Sequence, residues 1–249
     1  MIRLPFILLY LLLFSCQEND SEPTIYTIKG FVSADDERGR SFEIDDHSGF
    51  EVTLIVEEES VQNVLSEKNG SFSFEVEDSL TFDLKVEKEG YAEVTYTDLT
   101  LENESIHIRV PSIPIYTISN INLDSESVVQ QILFEMDVKN FLSSRYNKKY
   151  FRFFIHTESN PSKTNYLVTG KLGIPVSSER VTPLNNEDAR IQSSISTFPY
   201  LNNFHSGQTV YFAFYSTSEY DPYIYDESLD LNIYTGLSTD YLVISTVVP

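Results

Sequence analysis

"SEKNGSFSFEV", residues 66–76, decides the fold class. Phe72, Phe74 and Val76 alternate with Ser71, Ser73, Glu75 and Glu77. A period of two puts apolar side chains on one face of a strand and polar ones on the other. Asn69-Gly70, just before, supplies a tight turn, because both residues tolerate a left-handed backbone. The same period runs outward on both sides. Phe50, Val52, Leu54 and Val56 alternate with Glu51, Thr53 and Glu57, Ile55 being the exception. Phe82, Leu84 and Val86, then Ile106, Ile108 and Val110, repeat it, and Glu89-Gly90 marks a second turn. Over 24–112 this predicts an antiparallel sandwich of about seven strands.

Pro111 and Pro114 break the pattern, and strands resume beyond them. Ile132, Phe134, Met136 and Val138 alternate with polar or mixed neighbours. "KYFRFFIHT" (149–157) and "TVYFAFYST" (209–217) are the strongest strand signals, and "LDLNIY" (229–234) and "YLVISTVVP" (241–249) close the chain. Glu187–Ser193 is expected to form a helical turn. The fold class is therefore all-β: two consecutive antiparallel β-sandwiches, residues 24–112 and 113–249.

"IKGFV" (28–32), "FEVTLIV" (50–56), "SEKNGSFSFEV" (66–76) and "DLKVEKEGYAEVT" (83–95) follow in that order. This succession resembles the carboxypeptidase-regulatory-like domain, a transthyretin-like sandwich. The family opens on a G-x-V strand, continues with V-x-L and a D/N-G-x-F turn-and-strand, and ends on a K-x-G-Y turn. The resemblance implies an accessory module without peptidase activity, of a kind frequent at the start of Bacteroidetes surface proteins. The insert "SADDERGRSFEIDDHSG" (33–49) departs from the pattern. "SGQTVYFAFYSTS" resembles the penultimate strand of a fibronectin type III domain, which implies an Ig/fibronectin-III-like second sandwich, although the chain has no Trp to anchor such a core.

The chain opens with Arg3 and an apolar run, Leu4 to Phe14, followed by Ser15 and the one cysteine, Cys16. A spanning helix needs ~20 apolar residues, so this run fits a secretory signal, residues 1–15. Leu13-Phe14-Ser15-Cys16 resembles the lipobox of bacterial lipoproteins, with Phe14 larger than usual. The resemblance implies that Cys16 is diacylglycerylated and becomes the new N-terminus, which gives the lone thiol a use. With a single cysteine no internal disulfide forms, so stability rests on packing. Residues 16–23 then read as a lipidated Cys and an acidic tether. Acidic residues behind a lipidated Cys resemble the surface-export signal of Bacteroidetes lipoproteins. The expected location is the outer membrane, lipid-anchored and facing the cell surface, with a periplasm-facing anchor as the alternative.

The formal charge is −21, from 17 Lys and Arg against 38 Asp and Glu. That field repels nucleic acid and excludes it as a partner. The acidity is concentrated in residues 24–112, with seven basic and 21 acidic groups, against nine and 14 in 113–249.

No G-x-S-x-G elbow is present, and His47, His107, His156 and His205 are dispersed without a zinc spacing. Nothing positions two carboxylates across a cleft, so no enzyme is expected; a glycosidase with an unrecognised site is the remaining alternative. "DDERGRSFEIDDH" (35–47) and "YDPYIYDESLD" (220–230) concentrate carboxylates. Oxygen-rich loops suit Ca²⁺, but neither has an EF-hand spacing, so both are expected to be solvated loops and no cofactor is assigned.

The second loop adds Tyr220, Tyr223 and Tyr225 beside Asp221 and Asp226. Aromatic faces next to carboxylates suit sugars, the ring stacking and the carboxylates accepting hydroxyl protons. Packing of these tyrosines on the sandwich is the competing account. Asp78-Ser79-Leu80 resembles a Bacteroidetes O-glycosylation acceptor, with Ser79 the modified residue.

The expected function is thus a non-catalytic cell-envelope lipoprotein, a binding or assembly module, with the membrane as one partner through its anchor and a glycan or another envelope protein as the other. The alternative is a sugar-binding accessory of a polysaccharide-uptake system. Cys16→Ala should move the protein from the detergent phase to the aqueous phase on partitioning; a variant that stays with the detergent would place the anchor elsewhere.

Overall fold

The computed structural model describes residues 25–38, 40, 44–77, 81–100, 105–123, 131–143, 147–196 and 200–248. Cys16 and Ser79 lie outside them. Every named element is a strand.

The first sandwich is built from β1 (Ile25–Asp35), β2 (Glu51–Val56), β3 (Glu59–Leu65), β4 (Ser71–Glu77), β5 (Thr81–Glu87), β6 (Val94–Thr100) and β7 (Ile106–Pro111). They form two sheets, in the orders β4-β1-β7 and β3-β2-β5-β6. The residues that alternate in sequence fill the space between: Phe50, Val52, Leu54, Leu84, Val86, Ile108 and Val110 are all fully buried. Burying each large apolar side chain contributes ~1.5–3 kcal/mol. The Asn69-Gly70 turn forms as expected. The Asn69 side chain accepts from Ser71 N–H at 2.9 Å, and Gly70 sits at φ +86°, where a Cβ would collide with the Val32 carbonyl oxygen.

Three details differ from the sequence reading. β1 and β7 pair in parallel, the exception among otherwise antiparallel ladders. The link between β2 and β3 is a two-residue turn at Glu57-Glu58, both with positive φ (51° and 67°), a mirror-image turn made without Gly or Asn. The acidic insert is not wholly solvated. β1 runs on to Asp35, and Asp35 and Asp36 are buried. They are accommodated because Arg109 NH2 lies 2.7 Å from Asp35 and Arg40 binds Asp36 through Nε and NH2 at 3.1 and 3.0 Å.

The second sandwich comprises β8 (Thr117–Leu123), β9 (Gln131–Lys139), β10 (Lys148–His156), β11 (Val168–Pro175), β12 (Val181–Pro183), β13 (Ala189–Ser196), β14 (Thr209–Thr217) and β17 (Leu237–Val247), with a separate hairpin of β15 (Tyr223–Asp226) and β16 (Leu231–Tyr234). Its sheets run β11-β10-β14-β17 and β12-β13-β9-β8. Phenylalanines replace the absent Trp at the centre. Phe153 lies 6.3 and 6.0 Å, between ring centroids, from Phe212 and Phe214, and Phe134 lies 5.2 Å from Phe214. The helical turn expected at Glu187–Ser193 is absent. Ala189–Ser196 is strand β13, paired along its length with β9. The Asn185 side-chain Oδ1 accepts from the N–H groups of Glu187 and Asp188 at 2.8 and 2.7 Å, so it makes a turn into the strand rather than a helix start.

β10 explains why "FRFFI" does not alternate. Phe151, Phe153 and Ile155 face the core between the sheets, whereas Arg152 and Phe154 point to the outer face. That face is buried too, because the β15–β16 hairpin lies over it. Phe154, Ala213, Tyr215, Tyr234 and Leu237 form a third small core there, with Tyr166 against it.

Candidate functional site

The hairpin is held by one guanidinium. Arg152 donates from Nε to Asp221 Oδ2 at 2.6 Å, with NH2 at 2.5 Å from the same oxygen, and from NH1 to Thr169 Oγ1 at 3.0 Å. Its Cζ lies 3.6 Å from the centre of the Tyr234 ring. Asp221 precedes β15 and Tyr234 ends β16, opposite Tyr223, so the cation grips both strands at the base of the hairpin. Asp221 also accepts from Thr217 Oγ1 at 2.9 Å, and Lys171 Nζ lies 3.8 Å away. Burial pulls the Lys171 ammonium pKa down, against the pull of Asp221.

The base of the hairpin also reaches the first sandwich. Glu219 N–H donates to the Glu37 carbonyl at 2.6 Å, Arg38 Nε lies 3.3 Å from Glu219 Oε2, and Thr235 Oγ1 donates to the Glu93 carbonyl at 2.5 Å. The Tyr150 hydroxyl donates to the Glu219 carboxylate; burial and this bond push the Tyr150 pKa up to about 12, and the same bond, with Arg38, holds Glu219 below its usual range against its partial burial. Arg109 of β7 lies over the Tyr220 ring at 5.9 Å.

The five residues singled out in this loop therefore divide. Asp221 is not available to a ligand, since its side chain is 6% exposed and committed to Arg152. Asp226 accepts from Ser228 N–H, Ser228 Oγ and Leu229 N–H at 2.9, 2.6 and 3.1 Å, and so is spent on closing the hairpin turn. Those bonds hold its carboxyl below the usual range. Tyr220 is 41% exposed and tied to the seam between sandwiches. Tyr223 and Tyr225 are 57% and 54% exposed, so neither is buried packing; that part is taken by Tyr234. The Tyr225 hydroxyl donates to Asp230. A cavity of about 410 Å³ lies against the hairpin, lined by Ile224, Tyr225, Asp226, Ile233 and Thr235 with Glu93 and Lys163.

The four histidines lie apart from one another in the chain and none adjoins the hairpin in sequence. His47 Nδ1 accepts from Ala34 N–H at 2.9 Å, His107 is exposed on β7, and His156 ends β10. Among the described residues no three His, Cys, Asp or Glu side chains converge in a way that could hold a metal ion. Sequence reasoning missed Arg152, although a charged residue inside a run of aromatics was a signal of an outer-face partner.

No family model matches the chain, and no curated protein does. Solved structures similar to it include a DUF3823 family protein from Parabacteroides merdae (12% identity, 87% of this chain and 98% of that one, TM-score 0.29). A DUF3823 family protein from Bacteroides ovatus is similar at 15% identity, covering 91% and 100%, with TM-score 0.30. A candidate carbohydrate-binding protein from Bacteroides uniformis is similar at 11% identity, covering 89% and 98%, with TM-score 0.31. Likenesses of this size say nothing about ligand or activity.

The seam makes a pH prediction. Burial pushes the Asp35 carboxyl above the ordinary 3.8, outweighing the Arg109 cation that draws it down. A raised folded-state pKa means the folded chain binds this proton more tightly than the unfolded one, so the contribution of Asp35 to stability is full below pH 3.8 and is lost as pH rises through the folded value. Asp35→Asn should melt higher than wild type at pH 7, with the gap closing below pH 3.8. A lower melting temperature at pH 7 would show that the Arg109 pair outweighs the burial.

Proposed function

We propose that the chain is a non-catalytic cell-envelope lipoprotein, held to the outer membrane through acylated Cys16, whose second sandwich presents the 220–234 hairpin as a binding surface. The ligand class is a sugar, its ring stacking on Tyr223 or Tyr225. The observation that supports this reading is the exposure of these two rings, at 57% and 54%, on a hairpin whose base is anchored by Arg152. Exposed apolar rings on a rigid support lose little side-chain freedom when a ligand covers them. Asp221, Asp226 and Asp230 are engaged with Arg152, the turn and Tyr225, which favours binding over acid–base catalysis. The lipid would place the module at the membrane surface, facing outward. A protein partner is the second reading, and the edge strand β3 favours it, with Val61 and Leu65 exposed at 57% and 67%.

The double variant Tyr223→Ala/Tyr225→Ala separates ligand contacts from packing. It should abolish binding on a glycan array while lowering the melting temperature by no more than ~2 °C, the shift that under 1 kcal/mol gives a chain of this size. A large drop in melting temperature, or unchanged array binding, would retire the site.

A further inference from the structure

The two sandwich sheets of the second domain have different outer faces. One is covered by the hairpin. On the other, that of β12-β13-β9-β8, no described element lies, and its side chains form an ordered row. Asn122 of β8 pairs in register with Glu135 of β9, and Glu135 with Gln192 of β13. Gln192 N–H donates to the carbonyl of Arg180, just ahead of β12, at 2.9 Å. These four residues, an amide, a carboxylate, an amide and an arginine, line one cavity across the sheet. Adjacent strands lie ~4.8 Å apart, so the row is ~14 Å long. In the neighbouring rung Leu133 pairs with Ser194, and Leu133 is half-buried, an apolar floor beside the polar row. A cavity of about 430 Å³ follows this rung and row. That is within the ~300–1,000 Å³ of small-ligand sites.

The charge here is balanced, which is unusual for this chain. Arg190 Nε lies 3.3 Å from Glu135, and Arg190 binds Asp137 through Nε and NH2 at 2.7 and 3.0 Å. With Arg180, two cations meet two carboxylates, within a protein of formal charge −21. Elsewhere the field disfavours anions; this face favours neither sign. The row offers both donors and acceptors in planar groups, which suits hydroxyls that must donate and accept at once. Leu133 would meet the C–H face of a ring.

We propose that this face is a second ligand site, taking a neutral oligosaccharide that lies across the strands along the Asn122–Glu135–Gln192–Arg180 row. The inference rests on the reading of the protein as a glycan-binding module, but not on the tyrosine hairpin. The two sites would give one chain two grips on the same polymer, which raises avidity without new contacts.

Affinity electrophoresis of the full chain through gels containing a soluble β-glucan, a xylan, a galactomannan or, as the charged control, alginate tests it. At least one neutral polymer should retard the wild type, and alginate should not. Gln192→Ala/Arg180→Ala changes two exposed side chains, so the fold should survive, and the apparent affinity should fall by about tenfold or more, each lost hydrogen bond contributing. Ser194→Trp, which fills the cavity, should do the same. If retardation survives both variants and is lost in Tyr223→Ala/Tyr225→Ala, the hairpin reading stands and this site is overturned. If only the sheet-face variants lose it, this site stands and the hairpin falls. No retardation by any neutral polymer, or binding of an extended peptide at this face instead, overturns the proposal.

Discussion

Arg152 is the side chain on which the rest of the arrangement depends. It projects from the middle of β10 onto the outer face of its sheet, where a lone guanidinium under apolar cover would be strongly unfavourable. It is compensated from two directions: the Asp221 carboxylate at 2.6 Å and the Tyr234 ring at 3.6 Å. Both belong to the same hairpin, at its base, one where the chain enters it and one where it leaves. The side chains of Arg152 and Asp221 are 10% and 6% exposed, so neither charge has much water to fall back on. Removing one member of such a pair costs ~3–5 kcal/mol, because the other is left buried and uncompensated. The cation and the hairpin therefore need each other, and the hairpin cannot leave without exposing Phe154, Tyr215 and Leu237.

The same hairpin base joins the two sandwiches. Glu219 and Thr235, flanking the hairpin, reach the backbone at Glu37 and Glu93 of the first sandwich. What fixes the hairpin on the second sandwich also fixes the geometry of the seam. Tyr223 and Tyr225 then stand exposed on a support that is tied down at its base, Tyr223 with one side against Tyr234. A surface loop with rings this exposed would ordinarily sample many conformations, and each would reduce affinity. Here most of that ordering is done on folding.

How much of this was legible in the sequence follows from what alternation can report. Period-two patterns locate strands with one wet face, and β2, β4, β5, β7 and β9 lie where the alternation put them. β10 and β14 are buried on both faces, and the element covering the second face, Tyr234 and its hairpin, is far along the chain; no local pattern connects them. The Glu57-Glu58 turn was invisible because its residues are not those that favour positive φ; pairing of β2 with β3 imposes it. Asp35, Asp36 and Asp221 were read as solvated because carboxylates usually are. Their burial depends on Arg109, Arg40 and Arg152; Arg40 is four residues from Asp36, but Arg109 and Arg152 are partners that only the fold brings near. The tyrosine hairpin was found because turn residues, aromatics and carboxylates are adjacent in sequence. The polar row on the opposite sheet was missed because its members come from four separate segments, each of which reads as an ordinary solvated strand.

Backbone hydrogen exchange in wild type and Arg152→Ala tests the central claim directly, since local opening is read segment by segment. The account predicts that amides of β15 and β16 lose protection by about two orders of magnitude or more, for a loss of ~3 kcal/mol, while β9 and β13 keep theirs. Protection at residues 223–234 that is unchanged, or that falls equally throughout the second sandwich, would contradict it.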